Sequence, residues 1–143
     1  MEILMNKEQI EQIIPHRDPF LLIDEVIEME PGKKIKARKY IKNDEFWFKG
    51  HFPEKPVVPG VLLIEMLAQA GAVAVLCMDE NKGKIGFLGG VDKAKFRRMV
   101  EPGDIVDLEV EIIKIKGPVG IGKALASVNG EKAVSAEISF IIK

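Results

Sequence analysis

The chain of 143 residues has one cysteine, Cys77, and two histidines, His16 and His51. That scarcity excludes a disulfide framework and a cysteine-based zinc site, and it suits a reducing compartment. Net charge is nearly absent too: 21 Lys and Arg stand against 22 Asp and Glu, for a formal charge of −1. A chain so balanced is no general nucleic-acid binder, and a charge-driven partner must meet a local patch. There is no internal repeat, low-complexity tract or composition shift, so residues 1–143 read as one domain. The opening "MEILMNKEQ" has an acid at its second position and too short an apolar run for a signal peptide. The expected location is therefore cytoplasmic.

One run, Val57 to Met78, is long enough to test as a membrane span. Pro59, Glu65 and Gln69 interrupt it, and the "DENKGK" that follows offers no aromatic anchor. A central acid alone costs ~2.5–3.5 kcal/mol on insertion, so the run is read as part of a folded core. What remains is the composition of a globular protein, 47% hydrophobic and 30% charged. A chain of this length buries ~68–70% of the surface it exposes when unfolded and needs no covalent staple.

Asn6, with Gln9 three residues later, caps a short helix that Pro15 stops. Beyond it the period shortens to two. Residues 33–42, "KKIKARKYIK", put Ile35, Ala37, Lys39 and Ile41 on one side, with Lys39 blurring the alternation. Residues 104–116 alternate in the same way until the apolar phase flips from Ile112 to Ile113, which predicts a bulge. Residues 131–143 and 122–128 form two more strands, and 20–29 and 84–91 are further candidates. Asn129-Gly130 marks a hairpin. Between early and late strands lies one helix, about Gly60 to Met78, apolar nearly all round and so expected to be buried on every side. One buried helix and about six half-solvated strands predict an α+β architecture, an antiparallel sheet curled around the helix.

In that helix Glu65 and Gln69 are the only strongly polar side chains between Val61 and Met78, four apart and on one face. Desolvation disfavours a charged carboxylate, so a buried Glu65 would hold a proton at neutral pH and could deliver it. Otherwise it is a structural partner of Gln69 or of a lysine. Ahead of it, "GHFPEKPVVPG" (50–60) is a proline-stiffened loop that can hold His51 in one place. His51 suits a general base, though a loop histidine can equally be ordinary. At Gly60 the first-turn N–H groups lack intrahelical partners and can receive a carbonyl oxygen. Base, acid and oxyanion donor in one stretch describe proton abstraction alpha to a carbonyl with departure of a protonated group.

"PHRDPFLLIDEV" (15–26), "GHFPEKPVVPGVLLIEMLAQAGA" (50–72) and "KAKFRRMVEPGD" (93–104) together resemble the (3R)-hydroxyacyl-[acyl-carrier-protein] dehydratases of bacterial type II fatty acid synthesis. The resemblance runs over essentially the whole chain. It implies a hot-dog fold and a homodimer, commonly a trimer of dimers, with two sites at the interface. Each site would take its histidine from one subunit and its carboxylate from the other. Residue by residue it implies His51 as base, Glu65 as acid, the Gly60 N–H as thioester-carbonyl donor, and Gln69 as a residue helping to hold a site water. His16, in "PHRDPF", is given a structural role. No metal and no organic cofactor is implied.

The reaction so implied is loss of water from a 3-hydroxyacyl thioester to give the trans-2-enoyl thioester. Phe52, Val57, Val58 and Leu62 line an acyl tunnel or are simply core. Lys93, Lys95, Arg97 and Arg98 around Phe96 dock the acidic carrier protein or form a solvated face. The competing functions are a dehydratase/isomerase, a thioesterase of the same fold and a non-catalytic acyl-binding protein. A cis-3-enoyl product, free thiol release, or binding without conversion would respectively mark them.

Overall fold

The computed structural model describes residues 3–143. Six strands, β1 (Glu25–Glu30), β2 (Lys34–Tyr40), β3 (Gly86–Phe96), β4 (Ile105–Lys116), β5 (Val119–Val128) and β6 (Glu131–Ile142), form one antiparallel sheet in the order β1-β2-β4-β5-β6-β3. A short helix α1 (Lys7–Glu11) precedes it, and α2 (Gly60–Leu76) lies against β2, β4, β5, β6 and β3. Among the described residues no helix is long and apolar enough to cross a membrane.

The sequence patterns account for most of this. Asn6 and Gln9 form the reciprocal capping box that starts α1. The phase flip in β4 is a register shift between Ile112 and Lys114, and Asn129 and Gly130 both take positive φ, as the tight β5–β6 turn requires. The sheet's inner face meets α2 through small residues: a Cβ added at Gly71 would sit 3.4 Å from the Phe140 ring and from Val110. Met66, Leu67, Ala70 and Val73 of α2 are fully buried against Leu108, Ala126 and Ile138. Each such large side chain contributes about 1.5–3 kcal/mol relative to leaving it in water.

Three expectations change. Of the strand predicted over 20–29, only the part from Glu25 on forms, as Glu25–Glu30; the Phe20 carbonyl and the Leu22 N–H bond instead to the Gln69 side chain, and the Phe20 and Leu21 N–H groups to the Arg17 carbonyl. The strand predicted over 84–91 continues to Phe96, carried past two register shifts by pairing with β6, so Lys93 and Lys95 are strand residues. The helix is also not enclosed on every side, because Val61 is 74% exposed and Leu62, Glu65 and Ala68 are only half-buried. Spaced along one face, these residues make an open stripe.

Lys39 breaks the strand alternation for a reason visible in the fold. Its side chain is only 6% exposed, and its ammonium lies 3.2 Å from Glu45 and 3.8 Å from Asp24. Asp24 also accepts the Tyr40 N–H at 2.7 Å. This ionic knot ties β2 to the segment before β1 and to the turn, Phe46–Lys49, that leads into the His51 loop. Removing one partner of a buried pair leaves the others desolvated and unmatched, so Lys39→Ala should lower stability by about 3 kcal/mol. The expected result is a lower urea midpoint at unchanged slope; a wild-type midpoint would show that the knot carries no weight.

Candidate active site

His51 follows the Phe46–Lys49 turn, and its own N–H bonds back to the Trp47 carbonyl at 3.0 Å. The prolines then carry the chain to Val57 and Val58, both buried, where the Val58 N–H bonds to Val100 at 2.8 Å. Val57 closes the loop on the histidine: its carbonyl lies 3.0 Å from His51 Nδ1. A carbonyl can only accept, so Nδ1 carries the hydrogen and the neutral ring keeps its lone pair on Nε2. The Phe52 ring stacks against the imidazole with centroids 4.2 Å apart. Phe52 itself sits at φ 49°, a left-handed conformation uncommon for a bulky residue and of the kind that collects at functional sites.

At the start of α2 the Pro59 carbonyl takes the N–H groups of Leu62 and Leu63. No acceptor among the described residues takes the Gly60 N–H. The Phe96 ring packs on Gly60 so closely that an added Cβ would stand 2.7 Å from it. Glycine is therefore the residue that lets ring and helix start meet.

Glu65 lies one turn further along the open stripe, its side chain 23% exposed rather than sealed in the core. Its Oε2 accepts from Gln69 Nε2 at 3.0 Å. Gln69 is 1% exposed and fully engaged: Nε2 also donates to the Phe20 carbonyl at 2.9 Å, and Oε1 accepts the Leu22 N–H at 2.8 Å. Gln69 is thus a direct clamp between helix, carboxylate and the segment before β1. His16 Nε2 stands 3.6 Å from the same Glu65 oxygen. Sequence reasoning gave His16 a structural role only; its place in "PHRDPF", between Pro15 and Pro19, was the one available signal.

The structure thus gathers Glu65, Gln69 and His16 in one cluster and His51, Phe52 and Val57 in another. No hydrogen bond or ion pair among the described residues joins His51 to Glu65. Val58 belongs to the core, Leu62 lies at its margin and Phe52 is exposed. Arg98 is held by Glu131 at 3.2 Å and Asp104 at 3.8 Å, whereas Lys95 and Arg97 are exposed. A groove of 910 Å³ on the outer face of the sheet is lined by Lys93, Lys95 and Arg97 and by none of His51, Gly60, Glu65 or Gln69. No group of His, Cys, Asp and Glu among the described residues is arranged to hold a metal ion.

A family profile described as a FabA-like domain matches residues 14–137. The 3-hydroxyacyl-[acyl-carrier-protein] dehydratase FabZ of Clostridium novyi is 61% identical over 134 residues, covering 94% of each chain. The protein of the same name from Oceanobacillus iheyensis is 59% identical over 140 residues, covering 98% of this chain and 100% of its own. Among solved structures, the dehydratase heterocomplex ApeI:P of Xenorhabdus doucetiae has a TM-score of 0.78 at 18% identity, over 94% of this chain and 90% of that one. That likeness concerns the fold alone, and with one long helix held in a six-stranded antiparallel sheet it meets the hot-dog expectation. The chain belongs to the FabA-like domain family and, within it, to the FabZ 3-hydroxyacyl-[acyl-carrier-protein] dehydratases.

Proposed function

We propose that the chain dehydrates 3-hydroxyacyl thioesters borne on acyl carrier protein to trans-2-enoyl thioesters, in fatty acid elongation, at sites shared between two copies. The observation that carries this is the way His51 and Glu65 are held. Each is fixed through one polar atom, His51 Nδ1 by Val57 and Glu65 Oε2 by Gln69, which leaves a second atom free for proton transfer. His51 Nε2 removes the C2 proton, the Gly60 N–H receives the negative charge developing on the thioester oxygen, and Glu65 protonates the departing C3 hydroxyl. Water leaves; the proton on His51 returns to Glu65 through solvent. The steps need no cofactor.

The dimer is supported by what one chain leaves uncovered. Among the described residues β3 ends the sheet with β6 as its only strand neighbour, and Phe87, Leu88, Val91 and Phe96 are exposed along it. A partner copy laid along β3 would cover these side chains and the open stripe of α2, and would bring its His51 to this chain's Glu65. A trimer of such dimers is the expected assembly. The acyl chain would run beside Leu62 and Phe52. The carrier's acidic surface would dock on Lys95 and Arg97, next to Phe96 at the helix start, with Arg98 framing the patch.

Glu65→Gln and His51→Ala should each lower kcat by about 10²–10⁴-fold, measured with a 3-hydroxyacyl thioester whose product is identified as the trans-2-enoyl species. Full activity in either variant would sink the assignment. Leu88→Asp should give a monomer by sedimentation and abolish turnover; a monomer with wild-type activity would refute a shared site. Reversing Lys95 and Arg97 to Glu should slow carrier-linked turnover about tenfold at low salt and spare a pantetheine thioester. Equal loss on both substrates would count against docking there.

A further inference from the structure

His16 stands in a segment with no secondary structure of its own, yet the segment is held from both sides. The Arg17 guanidinium donates to the carbonyls of Ile14 at 3.0 Å, His16 at 2.7 Å and Glu11 at 2.9 Å. The Arg17 carbonyl in turn accepts from Phe20 and Leu21 at 2.8 and 3.1 Å. Beyond that turn Gln69 fixes Phe20 and Leu22 to α2. A stretch from the end of α1 to the start of β1 is thus pinned at the level of Glu65, with the His16 ring aimed at that carboxylate.

The ring's two nitrogens are in unequal surroundings. Nδ1 is buried and has no hydrogen-bond partner among the described residues, while Nε2 faces Glu65 Oε2 at 3.6 Å. A buried N–H without an acceptor is rarer in folded proteins than an unfilled acceptor site, which puts the hydrogen on Nε2 and the lone pair on Nδ1. Burial pushes the imidazolium pKa down, the Glu65 charge pulls it partly back and Arg17 adds to the lowering. A ring whose ordinary value is near 6.5 is therefore neutral at pH 7. Its one polar approach is to the acid.

Two N–H groups then converge on one oxygen of Glu65: Gln69 Nε2 at 3.0 Å and His16 Nε2 at 3.6 Å, the latter just beyond hydrogen-bond range but close enough to act on the oxygen electrostatically. We propose that His16 is a positioning residue that, with Gln69, reserves Glu65 Oε2 for accepting N–H donors and so confines the transferable proton to Oε1. A proton on Oε2 would face two donors and no acceptor, whereas no hydrogen bond among the described residues holds Oε1. When Oε1 gives its proton to the C3 hydroxyl, the same two donors receive the carboxylate charge left behind. This inference rests on Glu65 being the acid of the dehydration.

The test compares His16→Phe, which keeps a flat ring without a donor, with His16→Gln, which returns an N–H near the position of Nε2. His16→Phe should lower kcat about tenfold with KM changed less than about twofold, and His16→Gln should recover most of the loss. On top of Glu65→Gln, His16→Phe should cost less than about twofold in the residual rate, since the two act through one group. A wild-type kcat in His16→Phe while Glu65→Gln is inactive would overturn the role of His16 and leave the dehydratase reading standing. An equal loss in both His16 variants with a lowered thermal midpoint would also overturn it, as mere packing. An active Glu65→Gln removes the reading beneath it.

Discussion

One buried amide, Gln69, sets the geometry on which the site depends. Its oxygen accepts from Leu22 and its nitrogen donates to Phe20 and Glu65, so the segment before β1 and the carboxylate of α2 meet on a single side chain. The backbone partners also settle which way the amide faces, because the Leu22 N–H can only be met by oxygen and the Phe20 carbonyl only by nitrogen. Leu21, Leu22 and Ile23 are buried beneath this clamp. Unmaking it would strand polar backbone in an apolar layer, at a cost of about 1–3 kcal/mol per unsatisfied group. Position of the acid and integrity of the core are therefore one constraint.

The second cluster is organised differently. His51 depends on a loop with little regular structure, whose order comes from prolines, from buried Val57 and Val58, and from a turn tied to β2 through Lys39 and Glu45. Rigid covalent geometry does there what side-chain hydrogen bonding does around Glu65. Both solutions fix one nitrogen or oxygen of the side chain and leave its other atom free, the preorganisation that the proposed acid–base chemistry would reward.

Much of this was legible before any coordinates. Period-two alternation found four strands directly, the apolar helix and its two polar residues were evident, and the bulge in β4 followed from a phase flip. Four things were not. Lys39 looked like noise in a strand because its partners, Asp24 and Glu45, are close only in space. The segment 20–24 has the composition of a strand but gives the Phe20 carbonyl and the Leu22 N–H to Gln69, a long-range bond no local pattern encodes. His16 lies far from Glu65 in sequence, and nothing in "PHRDPF" alone says that its ring faces the acid. The openness of α2 was missed because hydropathy reports a wish to be covered, not whether this chain or another does the covering.

The sheet's last strand bears on how the protein comes into being. β4, β5 and β6 are joined by turns of a few residues and pair with their sequence neighbours, so they can assemble early and with small loop-closure entropy. β3 comes before them in the chain but must wait for β6, from which it is separated by the whole β4–β5 hairpin. Once docked it offers an unpaired edge bearing Phe87, Leu88 and Val91, a template for indiscriminate strand addition. The chain thus carries its aggregation hazard after its own folding is complete, on a strand edge that forms only at the last step.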